Sequence, residues 1–175
     1  MEENVLQISS KNYVFGCGFF VGHFFITAAH VIENAENPFV KIGTEKVFLK
    51  KEDALYFDYD NAQVAHDIAI FKILASGVNR LALSSETIKR GGVYKSYSYR
   101  EMTLGTEFIL CNATIEDVDK EAFSATMSAA LRSGSSGSPL CNKQNLVGML
   151  VRGNDKDLCV FISSKEIIRI LSHIK

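Results

Sequence analysis

Gly134-Ser135-Ser136-Gly137-Ser138-Pro139 is the stretch on which the reading of this chain turns. A serine lies between residues that favour a tight turn, late in the chain. Two earlier segments give it meaning. Phe24-Phe25-Ile26-Thr27-Ala28-Ala29-His30 is an apolar run that ends in histidine. Asp67-Ile68-Ala69-Ile70-Phe71-Lys72-Ile73 is an apolar run that opens with aspartate. A serine hydroxyl attacks a carbonyl poorly unless a base takes its proton, and the base works best when a carboxylate orients it. His30, Asp67 and Ser136 are therefore candidates for base, orienter and nucleophile. Glycine on both sides of Ser136 suits a backbone that turns sharply and lies close to a ligand.

With Gly16-Cys17-Gly18-Phe19 added ahead of the His30 segment, the ordered motifs resemble those of the chymotrypsin-like (trypsin-fold) serine proteases. The resemblance runs from about Val14 to the C-terminus and is closest to the compact bacterial and viral 3C-like types. It implies an all-β fold of two six-stranded antiparallel β-barrels with a C-terminal α-helix. It selects Ser136 over Ser133, Ser135 and Ser138 as the nucleophile. It assigns the backbone amides of Gly134 and Ser136 to an oxyanion hole. The activity implied is hydrolysis of peptide bonds in a protein or peptide substrate, through an acyl-enzyme and without metal or organic cofactor. A catalytically silent binding module on the same fold and an esterase using the same triad are the competing readings.

Three departures from the secreted members are visible. Cys17 matches one half of the disulfide that brackets the catalytic histidine there, but Val31 stands where its partner would be. Arg132 stands where the cysteine at the neck of the nucleophile loop would be. Ser135 replaces the aspartate that pairs with a newly cleaved N-terminus, so activation is expected to need no such cleavage. The positions that match the family's specificity pocket are Ala130, Leu131, Val151, Arg152, Gly153 and Cys159. Ala130 at the base excludes a charge partner for Lys or Arg and implies an uncharged, apolar or small side chain before the cleaved bond. Arg152 at the rim is suited instead to an acidic one. Leu150 stands where 3C-like enzymes carry a histidine that reads glutamine.

The remaining histidines and carboxylates compete less well. His66 abuts Asp67, and neighbours on a strand face opposite sides, so the two cannot share one site. His23 falls in a turn and His173 at a helix end. Asp58 and Asp60 read as part of a polar turn without an apolar flank.

Apolar runs separated by turn residues give twelve strands. The first set is Val5–Ile8, Tyr13–Val21, Phe24–Ala28, Phe39–Ile42, Lys46–Leu49 and Asp67–Ile73. The second is Val93–Tyr99, Glu107–Thr114, Ala122–Ser128, Pro139–Cys141, Leu146–Arg152 and Leu158–Ile162. The expected organisation is a single peptidase domain, with a first barrel over about 1–80, a linker over about 76–92 and a second barrel over about 93–163. Ile167, Ile168, Leu171 and Ile174 at helical spacing predict a terminal helix over about 164–174, capped by Ser163 or Ser164.

Composition narrows the classes further. The chain has 175 residues, 47% of them hydrophobic, and a net charge of −1. That argues for a packed domain and against disorder. No basic block or stripe stands out, so nucleic acid is not an implied partner. No apolar run is long enough to span a membrane, and Met1-Glu2-Glu3-Asn4 does not read as a secretory leader. The expected setting is cytoplasmic, in a bacterium or a virus-infected cell. Cys17, Cys111, Cys141 and Cys159 lack C-x-x-C spacing and read as buried thiols of a reducing compartment, with a Cys111–Cys141 bridge left open. The oligomeric state is open.

Overall fold

The computed structural model describes residues 2–11, 13–131, 134–153 and 157–174. The first lobe is built from β1 (Leu6–Ser10), β2 (Tyr13–Val21), β3 (Phe24–Thr27), β4 (Phe39–Ile42), β5 (Glu45–Phe48), β6 (Tyr56–Tyr59) and β7 (Asp67–Lys72). A short helix, α1 (Ala29–Asn34), follows β3. The seven strands form one antiparallel sheet in the order β5-β4-β1-β2-β3-β7-β6. The turn between β2 and β3 has two residues, with Gly22 at φ 57° in the first position. That conformation suits glycine and keeps the strand twist through the hairpin.

The second lobe comprises β8 (Ala82–Leu83), β9 (Val93–Met102), β10 (Gly105–Val118), β11 (Ala122–Met127), β12 (Pro139–Asn142), β13 (Asn145–Gly153) and β14 (Leu158–Ser163). The order is β12-β9-β10-β11-β14-β13-β8, and a further β12–β13 pairing closes β9 to β14 into a six-stranded barrel. The chain ends in α2 (Ser164–Leu171). Its first-turn donor is met by Ser163, whose hydroxyl accepts from the Glu166 amide at 3.3 Å. Ser164 instead donates to the Ser84 carbonyl at 2.7 Å.

The chymotrypsin-type arrangement expected from the sequence is present, with corrections in detail. The first lobe is a half-barrel of seven strands, and its edge strands β5 and β6 do not pair with each other. Tyr56–Tyr59 is the added strand: Asp58 lies within it and not in a turn. Its pairing with β7 sets Tyr59 opposite Asp67. In the segment read as a linker, Ala82–Leu83 pairs in parallel with the start of β13. The terminal helix stops at Leu171, with Ser172 and His173 in a turn whose amides bond back to Ile168 and Ile170.

Two apolar clusters hold the lobes. One fills the second barrel, where Phe123 and Phe161 stack at 5.4 Å beside Ile115, Val147 and Leu150. The other joins the first lobe, including Phe19, Phe25, Ile26 and Ile68, to Met149, Val151, Ile162, Ile167 and Ile170 of the second. One continuous apolar cluster thus runs across both lobes, so the ends of β3, β7 and β13 are held in a fixed relation.

Candidate active site

His30 is in the first turn of α1, immediately after the buried end of β3. Asp67 begins β7, and β3 and β7 are antiparallel neighbours with Thr27 opposite Ala69. This register brings the two residues together. The His30 Nδ1–H donates to Asp67 Oδ2 at 2.6 Å, and the His30 backbone amide donates to Asp67 Oδ1 at 2.8 Å. Asp67 is 1% exposed. A buried carboxylate needs such donors to stay ionised without a large desolvation cost. Bonding at Nδ1 leaves Nε2 as the free ring nitrogen.

His66 is turned to the other side, where its Nδ1 meets Asp58 at 2.7 Å. Asp60 caps the following turn by accepting from the Ala62 amide at 3.0 Å. His23 and His173 are exposed. None of these competitors joins the His30–Asp67 pair.

Ser136 follows a loop stitched between the lobes. Its carbonyl accepts from the Cys17 amide at 2.7 Å. Gly137 N–H donates to the Leu150 carbonyl at 2.7 Å, and Leu150 N–H returns to the Ser138 carbonyl at 2.9 Å. Gly134 and Gly137 have φ of 95° and 90°. At Gly137 the need is also steric: a Cβ there would lie 1.9 Å from the Cys17 carbonyl oxygen. A Cβ at Gly16 would lie 2.6 Å from Val31 and 2.9 Å from the Ser136 carbonyl. The residue after His30 and the Ser136 backbone therefore converge on the same glycine.

The other described serines of this loop are occupied. Ser135, 2% exposed, donates to the Tyr99 carbonyl at 2.9 Å. Ser138, fully buried, lies 2.6 Å from the Ser98 hydroxyl and 2.5 Å from the Ser135 carbonyl. The Cys17 thiol donates to the Gly134 carbonyl at 3.2 Å. Ser136 is half-buried. Ser133 and Arg132 lie outside the described residues.

A cavity of about 350 Å³ opens beside this pair, lined by His30, Asn34, Tyr59, Asn61, Asp67, Val151 and Arg152. Of the positions matched to the specificity pocket, Val151 and Arg152 line it. Ala130 is exposed, and its carbonyl accepts from Arg100 at 2.8 Å. Leu131 packs on the second-barrel cluster. Gly153 is exposed and pairs with Cys159 across β13 and β14. The Cys159 side chain is buried in the second-barrel cluster. Residues 154–156, beside Gly153, are outside the described residues.

Tyr59, Asn34 and Asn61 were not singled out by sequence. The aromatic run Tyr56-Phe57-Asp58-Tyr59 carries a strand signal that would have pointed to the first of them. The Tyr59 and His30 rings are 6.4 Å apart, centroid to centroid.

All four cysteines are buried and free. Burial pushes the thiols of Cys17, Cys111 and Cys159 up to about 11, and that of Cys141 up to about 12. Among the described residues, no group of three or more His, Cys, Asp or Glu side chains converges as a metal site would require.

Residues 16–149 match the family model of the trypsin-like peptidase domain, and the chain belongs to this family of serine proteases. Among solved structures, the fold is similar to that of the Rv3671c protease from M. tuberculosis in its active form. The TM-score is 0.75 at 21% identity, over 99% of this chain and 81% of that one. A human pathogenic astrovirus serine protease matches with a TM-score of 0.67 at 19% identity, over 93% and 90% of the two chains. An inactivated protease paralogue of the scabies mite matches with a TM-score of 0.77 at 14% identity, over 99% and 94%. At these identities the likenesses bear on the fold alone. No curated protein matches the chain. Among the described residues, no helix is long and apolar enough to cross a membrane.

Proposed function

We propose that this protein is an endopeptidase in which Ser136, His30 and Asp67 act as nucleophile, base and orienter. The observation that carries the proposal is the pair of hydrogen bonds from His30 to the buried Asp67 carboxylate, through Nδ1–H at 2.6 Å and the amide at 2.8 Å. It holds the ring in the tautomer whose Nε2 can accept a proton.

In the acylation step, Ser136 Oγ bonds to the carbonyl carbon of the peptide as its proton passes to His30 Nε2. The carbonyl π electrons move onto oxygen. The amides of Gly134 and Ser136 are the donors for that oxyanion, each typically contributing about 10²–10³ in rate. Collapse of this intermediate breaks the C–N bond, and the imidazolium gives its proton to the leaving amine. Water then repeats the sequence on the acyl-enzyme and regenerates Ser136. Asp67 stays ionised and stabilises the imidazolium.

The loop is held without a cleaved N-terminus. Ser135 carries no charge to pair with an α-amine, and its hydroxyl bond to Tyr99 is a neutral tether in the same place.

Labelling by a fluorophosphonate probe tests the proposal, with Ser136→Ala and His30→Ala as controls and peptide and ester substrates run in parallel. Labelling that both substitutions abolish, together with peptide cleavage, is the expected result. Ester turnover without peptide cleavage would make the protein an acyl hydrolase. Absence of labelling in the wild type would make it a binding module.

A further inference from the structure

The cavity beside His30 is bounded by both lobes and, among the described residues, is lined by one guanidinium, that of Arg152. Arg152, near the end of β13, reaches across to the loop after β6, where its Nη2 donates to the Asn61 carbonyl at 2.5 Å. The two residues are 91 positions apart in the chain. Among the described residues, no carboxylate forms an ion pair with Arg152. Among the described residues, Asp67 is the only carboxylate lining the cavity, and both its oxygens are held by His30. Tyr59, Asn34 and Asn61 are neutral hydrogen-bonding groups.

The backbone next to Arg152 is suited to an extended ligand. On one edge, β13 pairs with β14, with Arg152 opposite Val160 and Gly153 opposite Cys159. On the other edge, pairing with β12 ends at Met149, and the last bonds there are those of Leu150 with Gly137 and Ser138. Among the described residues, no strand continues along that edge beside Val151–Gly153. The open edge begins at the loop that carries Ser136. A peptide added as a strand there would run from the Ser136 loop past the Arg152 side chain.

We infer that Arg152 is a specificity determinant that selects an acidic side chain of the peptide substrate near the cleaved bond. This rests on the peptidase reading above and names its substrate class. A guanidinium has five N–H donors in a planar fork. Among the described residues its side chain bonds to one neutral carbonyl, which leaves donors for a carboxylate in the geometry that Arg binds best. A Lys or Arg side chain in the same place would meet like charge.

The test is a peptide-library cleavage profile of the wild type, followed by kcat/KM for a matched pair of peptides with Glu or Gln at the selected position. Arg152→Gln, Arg152→Lys and Arg152→Glu are then compared by the Glu-to-Gln ratio, which cancels any general loss of activity. The expected profile is enriched in Asp and Glu near the cleaved bond. The ratio should fall about tenfold to a hundredfold in Arg152→Gln, the range for a hydrogen-bonded charge. It should fall less in Arg152→Lys and invert toward Lys-containing peptides in Arg152→Glu. It should also shrink as salt is added to the wild type.

A wild type that labels and cleaves without acidic enrichment overturns this inference and leaves the peptidase reading standing. Enrichment that survives Arg152→Gln does the same and makes the residue a clasp between lobes. A wild type that neither labels nor cleaves overturns both. If Arg152→Gln does not fold, the wild-type profile decides: acidic enrichment supports the inference and its absence overturns it.

Discussion

Asp67 holds His30 at two points, with one carboxylate oxygen on the ring and the other on the backbone amide. The second bond is as informative as the first. It ties the start of α1 to the start of β7, so the carboxylate that orients the ring is itself fixed by a backbone contact. Asp67→Asn keeps the shape but offers an amide nitrogen to one of the two donors. We expect the fluorophosphonate labelling rate to fall by about 10³–10⁴, in line with loss of the correct tautomer in such a triad. Stability should also drop, by about 1.5–3 kcal/mol for a charged hydrogen bond. Labelling kinetics and urea denaturation on the same samples measure the two effects.

Gly137 and Gly22 offer a matched contrast. Both have positive φ, at 90° and 57°, but a Cβ at Gly22 meets nothing within 4 Å. Gly137→Ala should cost about 2–6 kcal/mol, combining backbone strain with a clash against the Cys17 carbonyl. Gly22→Ala should cost about 1 kcal/mol, from conformation alone. Equal denaturation midpoints for the two variants would contradict the loop geometry.

Ser135 holds the loop that carries Ser136 through its bond to the Tyr99 carbonyl. Ser135→Ala should lower stability by about 0.5–1.5 kcal/mol and slow labelling more than it changes KM for peptides. The intact chain from Met1 to Lys175 should label without trimming. Labelling that appears only after N-terminal residues are removed would refute activation without cleavage.

The thiols give a pH prediction. Their ordinary value near 9 is raised in the fold to about 11 or 12 by burial. Between these values the unfolded chain has lost protons that the folded chain keeps, so stability falls as pH rises. The contribution is fully present below pH 9 and is lost as pH climbs toward 11 and 12. Melting curves should therefore shift downward above pH 9. A maleimide should react slowly with all four cysteines at pH 7 until denaturant is added, because thiolate is scarce and access is blocked.

Much of this molecule was legible in one dimension. The order and flanks of His30, Asp67 and Ser136 carry the proposed chemistry, because each motif joins a residue of the right type to the local conformation that chemistry needs. Gly137 accompanies Ser136 where only glycine fits. Helix α2 was readable from its apolar spacing and its Ser163 cap, both local signals. The strand β6 was only half legible: Tyr56, Phe57 and Tyr59 favour a strand, but Asp58 breaks the apolar run and pairing with β7 fixes its state. The parallel β8 was hidden for the same reason, since two residues have no periodicity of their own.

The sequence by itself determined the residue types of the proposed site, the class of fold and the turns that only glycine can make, all of which depend on neighbours along the chain. The tertiary structure alone decided that the first lobe stays a half-barrel, that Tyr59 and Asn61 border the cavity and that Arg152 reaches Asn61 from the opposite lobe. Those features depend on strand register and on how two lobes pack. Each is a sum over contacts between residues far apart in sequence, and no local pattern encodes such a sum.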